Sequence, residues 1–314
     1  MPSFRISSRA IRFIFSGATS SLKRAALQGE PIGLRRLSVA IPASVVSDTP
    51  HLREKTAKLG AIARAGSIFG VNEIILYPDD PLRSQEADIQ FCSEILQYLE
   101  TPQYLRRRSF KLSPTFKFTG ILPPLQAPHH NVPANIADVK IGDVREGLVV
   151  SRNDGEAVVD AGLDRFVIVA GESRVRERVT VRLVSTGKSL RGEIVEPSKI
   201  SIYWGYRVTR SKSKLANMLA KERFDLRIGT SRYGVQIQEV WTEISNSLRS
   251  VLSVLVAFGS PRMGLKEILG QEGKSPGDVF DYFVNTVPDQ KVATVRTEEA
   301  VFISLGLLNA MRHE

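Results

Sequence analysis

Five short apolar segments follow one another between residues 145 and 197, and they constrain the fold more than any other feature of the chain. They read REGLVVS, GEAVVDAG, RFVIVAG, RVTVRLVS and RGEIVEP. Between the first two, RNDG places Asp154 and Gly155 where a tight hairpin turn needs positive φ. Each segment is too short for a helix and is predicted to be a strand. Five such strands in close succession predict a small closed β-barrel.

The sequence on either side of this barrel alternates between strand and helix patterns. The predicted strands are LSVAIP (37–42), VNEIILYP (71–78), DLRIGTS (225–231), VLSVLVAFG (251–259) and FDYFVNT (280–286). Alternation of this kind predicts an α/β fold with a mainly parallel sheet. We therefore predict one α/β domain, residues 35–125 and 200–314, interrupted by a barrel at 126–199. A basic arm, residues 1–34, precedes it.

The net charge of +10 is concentrated at the N-terminus. Residues 1–36 hold seven Lys and Arg against Glu30, so they account for +6 of the +10. A basic chain favours a polyanionic partner, but the remaining +4 is unremarkable unless it is clustered. The N-terminal segment is rich in Arg and Ser and poor in acids, which leaves three interpretations: an organellar transit peptide, a disordered arm or a misassigned start codon.

The cysteine, histidine and apolar content exclude several classes of protein. Cys92 is the single cysteine, so an internal disulfide and a cysteine-cluster zinc site are excluded, and a reducing cytoplasm fits. It lies on the apolar face of a predicted helix, which indicates a core residue. The pair His129–His130 follows prolines in a predicted linker, and no metal is expected. The longest apolar run, around 251–258, is too short for a membrane span.

Three polar or glycine-containing loops follow strands in the C-terminal half. They are GTSRYG (229–234), FGSPRMG (258–264) and NTVPDQKVATVRTEE (285–299). Because ligands of open α/β sheets bind beyond the carboxyl ends of the strands, these loops are predicted to line one pocket. The common nucleotide signatures G-x-x-x-x-G-K-[ST] and G-x-G-x-x-G are absent from the sequence, which argues against a P-loop enzyme and a Rossmann dehydrogenase.

These loops resemble the cofactor loops of the SPOUT, or trefoil-knotted, methyltransferases. The segments QYLETPQYLRRRSF, FTGILPPLQAPHH and IYWGYRV are similar to the archaeal–eukaryotic branch that carries an OB-like insertion. The resemblance covers residues 35–314. It implies a C-terminal trefoil knot, S-adenosylmethionine as cofactor, RNA and in particular ribosomal RNA as substrate, with a uridine base as one candidate target, and a homodimer.

The resemblance also implies which residues bind the cofactor. They are Thr230, Gly234, Phe258, Gly259, Gly264, Asn285, Val287, Pro288, Ala293 and Val295. One departure stands out: relatives often have glycines just after the proline of this last loop, whereas this chain has Asp289, Lys291 and Val292. The backbone there is expected to be stiffer, since only glycine adopts all backbone conformations freely.

The final helix is apolar around most of its circumference. Between residues 300 and 310 the apolar residues are Ala300, Val301, Phe302, Ile303, Leu305, Leu307, Leu308 and Ala310. A helix that is apolar on every side is predicted to be buried. In the SPOUT resemblance this segment is threaded through the knot.

Charged residues near the last loop are the candidates for catalysis. Arg262 and Arg296 would contact an RNA phosphate or stabilise a base that loses its proton, and Glu298 or Glu299 would act as a base. The two glutamates have a second interpretation: Thr297 followed by two acids is also a good helix start.

Two basic clusters are candidate RNA contacts. Arg106, Arg107 and Arg108 are interleaved with aromatic residues, a combination that binds single-stranded RNA, although the rings fit a core equally well. Strand alternation would place Arg174, Arg176, Arg178 and Arg182 in one row suited to phosphates, or on a solvated face of the barrel.

The sequence therefore predicts an S-adenosylmethionine-dependent RNA methyltransferase. Two alternatives stay open: a ribosome-assembly factor that keeps this fold without turnover, and an α/β enzyme that uses another adenosine nucleotide.

Overall fold

The structure is a computed structural model that describes residues 36–131, 134–187 and 189–314. The predicted arm at 1–34, with its three interpretations, lies outside the described residues. Among the helices of the described part, none is both long enough and apolar enough to cross a membrane.

The described elements alternate as the sequence predicts. The strands are β1 Arg36–Pro42, β2 Glu73–Tyr77, β3 Val144–Asn153, β4 Glu156–Asp160, β5 Val167–Ala170, β6 Arg178–Thr186, β7 Leu190–Ile194, β8 Arg207–Arg210, β9 Leu226–Gln236, β10 Ser253–Ala257 and β11 Tyr282–Asn285. The helices are α1 Leu52–Ile68, α2 Glu86–Glu100, α3 Gln103–Ser109, α4 Leu215–Lys221, α5 Trp241–Ser250, α6 Leu265–Gly270, α7 Pro276–Val279 and α8 Thr297–Arg312.

The described chain divides into two compact units. Unit 1 contains residues 36–45, 77–83 and 211–314, and unit 2 contains 46–76 and 84–210. This division groups the segments before and after the barrel differently from the predicted domains, although the barrel strands themselves, 144–194, lie inside the predicted insertion.

Unit 1 is built on parallel strands in the order β11-β9-β10-β1. Strand β10 is largely buried, and Val254, Leu255 and Val256 are fully covered, whereas β9 is buried mainly in its first half. Parallel strands buried on both faces are expected to read as continuous apolar runs, as VLVA does. Since all the strands point the same way, the loops after β10 and β11 emerge at one edge. The third predicted loop, 229–234, does not follow β9 but lies within it.

The C-terminal helix α8 buries one face and exposes another. Its buried side includes Val301, Ser304, Leu305, Leu308 and Met311, and Ser304 shares a buried 2.8 Å hydrogen bond with Thr286 at the end of β11. The prediction that the helix is buried on all sides is wrong, because Ile303 and Ala310 are exposed and Leu307 is half-buried. The trefoil knot remains a prediction.

Unit 2 contains a closed barrel in the order β3-β4-β5-β7-β6. All five predicted strands are present, and their inward valines and alanines form one core cluster. The hairpin prediction is confirmed as well: Asp154 and Gly155 have φ of 47° and 81° between β3 and β4. Elsewhere in unit 2, Cys92 is fully buried on α2, and burial raises the pKa of its thiol to about 12.

A buried charged cluster joins the end of α2 to the barrel. Arg178 at the start of β6 donates to both carboxylate oxygens of Glu100, and its Nε lies 2.5 Å from Glu146. Glu146 also accepts from Thr180 and from the Trp204 indole at 2.6 Å. Burial opposes the ionisation of Glu100, but the Arg178 charge and the hydrogen bonds outweigh it and lower its pKa to about 2.

The histidine pair belongs to the same cluster. His129 is fully buried, and its Nε2 lies 2.9 Å from Glu100 Oε1 and 2.9 Å from the Glu100 carbonyl oxygen. His130 Nε2 lies 2.7 Å from that carbonyl, and burial lowers the pKa of His130 to about 4. The interpretation of this pair as a linker feature is therefore incomplete: it anchors the segment before the barrel to the last turn of α2.

We expect Arg178→Ala to destabilise the protein by roughly 3–5 kcal/mol, because it leaves two buried carboxylates without their shared cation. Urea unfolding followed by circular dichroism measures this change. Arg182→Ala is the matched control on the same strand: Arg182 makes an exposed pair with Glu193 at 3.1 Å, worth about 1 kcal/mol or less. Equal effects of the two substitutions would contradict the assigned role of the cluster.

Candidate functional site

Side-chain hydrogen bonds tie the three strand-end loops of unit 1 together. Thr230 Oγ1 donates to the Ala257 carbonyl at 3.0 Å, which joins the segment 229–234 of β9 to the end of β10. Thr297 Oγ1 donates to the Gly259 carbonyl at 3.2 Å, and Arg232 Nη1 donates to the Ala293 carbonyl at 3.0 Å. The segments 229–234, 258–264 and 285–299 therefore converge, as predicted. The prediction that each follows a strand is wrong for 229–234, because β9 continues through it to Gln236.

Between the loops lies a cleft of about 290 Å³. Eight of the predicted site residues line it: Thr230, Phe258, Gly259, Arg262, Gly264, Asn285, Val287 and Val295. The cleft is close to the lower limit of about 300 Å³ for small-molecule pockets. Phe258, one of the lining residues, is held in place by the buried Tyr77, whose hydroxyl donates to the Phe258 carbonyl at 2.6 Å.

The remaining predicted residues are not among those lining the cleft. They are Gly234, Pro288, Ala293, Arg296 and Glu298. Gly234 has a packing role: a Cβ there would lie 2.5 Å from the Val284 carbonyl carbon, so only glycine lets β9 approach β11 so closely. Ala293 instead lines a second, more open cavity next to the cleft.

The start of α8 differs by one residue from the prediction. Arg296, and not Thr297, is the N-cap, and its backbone N–H donates to Glu299 at 2.8 Å. The capping interpretation therefore holds for Glu299. Thr297 is buried in the first turn and lines the cleft. Arg296 is exposed between Val295 and Thr297, so its backbone stands at the rim.

Three charged side chains line the cleft. Arg262 was predicted, whereas Arg232 and Glu267 were not. Arg232 lies in the segment GTSRYG, between the predicted contact residues Thr230 and Gly234. This position could have identified it as a residue of the cleft. Glu267 lies in the first turn of α6, just beyond FGSPRMG, and nothing in its local sequence marks it. Within the ranges that the structure describes, no group of three His, Cys, Asp or Glu side chains could hold a metal ion.

The last loop adopts a left-handed backbone without a glycine. Asp289 has φ of 53°, in the region where the resemblance leads one to expect glycine. Aspartate tolerates this conformation better than most residues. The side chain pairs with Lys291 at 2.6 Å and is exposed beside the cleft.

In unit 2 the predicted RNA contacts separate into two groups. Arg106 donates to the carbonyls of Thr101 and Leu99 and lies over the Tyr98 ring, and Arg178 belongs to the buried cluster. Arg107, Arg174 and Arg176 are exposed. The prediction of a single row of arginines on one strand is wrong, because β6 begins at Arg178 and the two preceding arginines lie in a turn.

The surroundings of the first basic cluster are partly structural as well. Arg108 pairs with Asp160 at 2.7 Å. The rings of Tyr98, Phe110 and Phe116 pack on one another with centroids 5.1–5.4 Å apart. These half-buried aromatics therefore support the core interpretation.

Comparison with known families agrees with this architecture. A family model described as a putative RNA methyltransferase matches residues 36–308. The chain belongs to this family. This membership confirms the predicted resemblance to the SPOUT methyltransferases.

Relatives in animals carry a more specific name. The chain is 34% identical over 312 residues to the 28S rRNA (uridine-N(3))-methyltransferase of Mus musculus, covering 90% of this chain and 77% of that protein. It is 32% identical over 308 residues to the Drosophila melanogaster protein of the same name, covering 87% of this chain and spanning 61% of that relative's length.

A solved structure shows a weaker likeness. It is the SpoU methyltransferase AviRb of Streptomyces viridochromogenes in complex with the cofactor AdoMet, at 11% identity and a TM-score of 0.31. The similarity covers 90% of this chain and 61% of that one. A likeness at this level does not bear on the assignment.

We expect Gly234→Ala to destabilise unit 1 by roughly 1–3 kcal/mol, because the added methyl group meets the Val284 backbone, which cannot move aside as a side chain would. Thermal unfolding measures the change. Gly270→Ala is the control, since a Cβ at Gly270 meets nothing within 4 Å. A melting temperature for Gly234→Ala that equals the wild-type value would contradict this packing.

Proposed function

We propose that this protein is an S-adenosylmethionine-dependent methyltransferase of ribosomal RNA that modifies a uridine at N3. The convergence of the three strand-end loops on one cleft carries the proposal, because methyl transfer needs mainly a pocket that aligns donor and acceptor. Membership of the RNA methyltransferase family supports the reaction class, and the names of the mouse and fly relatives support the ribosomal uridine.

The cleft fits the cofactor in its chemistry. Val287 and Val295 offer apolar surface to a base and ribose, and Thr230 and Asn285 offer polar groups. Glu267 supplies a negative charge that matches the ammonium group of the cofactor. When bound, S-adenosylmethionine supplies the electrophilic methyl group.

The side chains at the rim are proposed to handle the RNA. Arg262 is exposed while lining the cleft, which suits contact with a phosphate or with a base that carries developing negative charge. Arg296 is exposed at the N-cap of α8, next to two residues that line the cleft. In this proposal Glu299 caps the helix and Glu298 is no longer needed as a base.

We propose that the barrel is of the OB type and contributes to RNA binding. The support is its strand order, β3-β4-β5-β7-β6, with β5 and β7 parallel. OB barrels commonly bind oligonucleotides. The exposed Arg107, Arg174 and Arg176 are the candidates for phosphate contacts, although Arg176 also donates to the Arg108 carbonyl at 3.4 Å. The other predicted arginines of unit 2 pair with carbonyls or carboxylates.

We propose that two copies associate through α8. Ile303, Leu307 and Ala310 recur at helical spacing and form a stripe on the side opposite the buried face. The stripe begins one turn after Ala300, which lines the cleft. Apolar stripes that stay accessible in a subunit commonly mark an interface.

The proposed reaction is tested in two measurements. We expect calorimetry to show saturable binding of S-adenosylmethionine by the wild-type protein, and mass spectrometry to show loss of one methyluridine from ribosomal RNA of a deletion strain. Arg296→Ala is expected to keep cofactor binding and to lose methyl transfer. Absence of cofactor binding would favour another adenosine nucleotide, and binding with unchanged ribosomal nucleosides would favour an assembly factor.

The dimer proposal is tested by light scattering coupled to size exclusion. Ile303→Glu is expected to halve the measured mass, because a charge replaces an apolar contact. Asn309→Glu is the control, since Asn309 is exposed on another side of the same helix. A wild-type protein that elutes as a monomer would refute the interface.

A further inference from the structure

Strand β9 contains a large bulge. Pairing between β9 and β11 proceeds from Gly229 opposite Phe283 directly to Val235 opposite Val284, so residues 230–234 are extra on the β9 side. Bulges commonly re-aim side chains next to binding sites. Here the bulge contains Arg232 and Tyr233, and both side chains are exposed.

The Tyr233 ring is large, fixed and exposed. The Arg232 guanidinium lies 4.7 Å from the ring centroid, and its Nη2 donates to the Tyr233 hydroxyl at 2.6 Å. Arg232 is itself held by the Ala293 carbonyl. Even so, Tyr233 is 63% exposed, an unusual state for a ring whose position is fixed by two contacts.

An open cavity of about 470 Å³ lies beside this ring. Its walls include Arg232, Tyr233, Asn285 and Gln290, all four of which also line the cleft, so the two spaces are continuous. Asp289 lines the open cavity and not the cleft, and it is the acidic side chain there among the described residues. The cavity thus combines a flat ring, a cation, amides and one carboxylate.

This chemistry fits a pyrimidine base, and uracil in particular. Flat bases stack on exposed tyrosine rings, and guanidinium and amide N–H groups donate to carbonyl oxygens. Uracil presents two carbonyl acceptors on either side of an N3–H donor, and a carboxylate accepts from that donor. Cytosine presents an acceptor at N3, which a carboxylate repels.

We propose that the open cavity is the binding site of a uracil base of the substrate RNA beside the acceptor nucleotide, with Tyr233 as the stacking surface and Asp289 as the group that recognises N3–H. This inference rests on the proposed function, since it assigns a contact of the same RNA substrate. The acceptor itself enters the cleft, which Asp289 does not line.

The test measures binding of short fluorescent oligouridylate and oligocytidylate by fluorescence polarisation, with the full-length protein. We expect Tyr233→Ala to weaken binding of both oligonucleotides by about tenfold, because stacking is tolerant of sequence. Tyr233→Phe should retain binding. Val235→Ala is the matched control on the same strand, since Val235 is exposed but lines neither cavity.

Asp289 is tested through selectivity. Asp289→Asn is expected to bring the ratio of oligouridylate to oligocytidylate affinity close to one while the wild-type protein prefers oligouridylate. Calorimetry with S-adenosylmethionine on Asp289→Asn should give unchanged affinity, because Asp289 does not line the cleft, and this separates its role from cofactor binding.

Three outcomes would overturn the assignment: oligouridylate affinity that survives Tyr233→Ala, a wild-type protein without preference between the two oligonucleotides, or a Tyr233→Ala variant that becomes monomeric. The last would make Tyr233 a contact between subunits. Failure of the proposed function is distinct, because it appears as loss of cofactor binding or of methylation in the wild-type protein.

Discussion

The functional half of the protein depends on side chains that donate to backbone carbonyls across loops. Thr230, Arg232 and Thr297 each bridge two loops that are distant in the sequence. A backbone carbonyl has a fixed place in the chain, so each such bond fixes a loop position more firmly than a contact between two flexible side chains. The parallel sheet brings the loops to one edge, and these three bonds convert that proximity into a defined cleft.

A different principle holds unit 2 together. There, Arg178, the first residue of β6, lies between the buried carboxylates of Glu100 and Glu146 and so connects β6 with the end of α2. The buried His129 also contacts Glu100. Removing a charge from water is costly, so such a cluster gives little net stability but tolerates few alternative partners. It specifies how the barrel strands pack against their helix.

Much of the fold follows from the sequence because its strand signals are local. The five barrel strands and the Asp154–Gly155 turn were predictable from apolar alternation and turn chemistry alone. The roles of Arg106 and Arg178 could not be predicted in this way. An arginine that pairs within the fold and one that binds a phosphate look the same in the sequence until their partners are known. The histidine pair misled for the same reason: its partner, Glu100, lies 29 residues earlier.

The site could be predicted at the level of loops but not of each residue. Loop positions follow from the carboxyl ends of strands, which explains why eight predicted residues line the cleft. Gly234 does not line the cleft as predicted, because next to the register shift of β9 its backbone packs against Val284. The apolar residues of α8 surround most of the helix, but composition cannot tell an apolar side chain that the fold covers from one that stays exposed, such as Ile303.

The burial of Cys92 has a practical consequence. Alkylating reagents attack the thiolate, and a thiol that is fully covered with a pKa of about 12 provides almost none at neutral pH. The native chain is thus a natural single-cysteine background in which that cysteine is silent. A cysteine introduced on the surface would take up a maleimide dye or spin label alone, so distances and loop motions become accessible to spectroscopy without first stripping the protein of its own thiol.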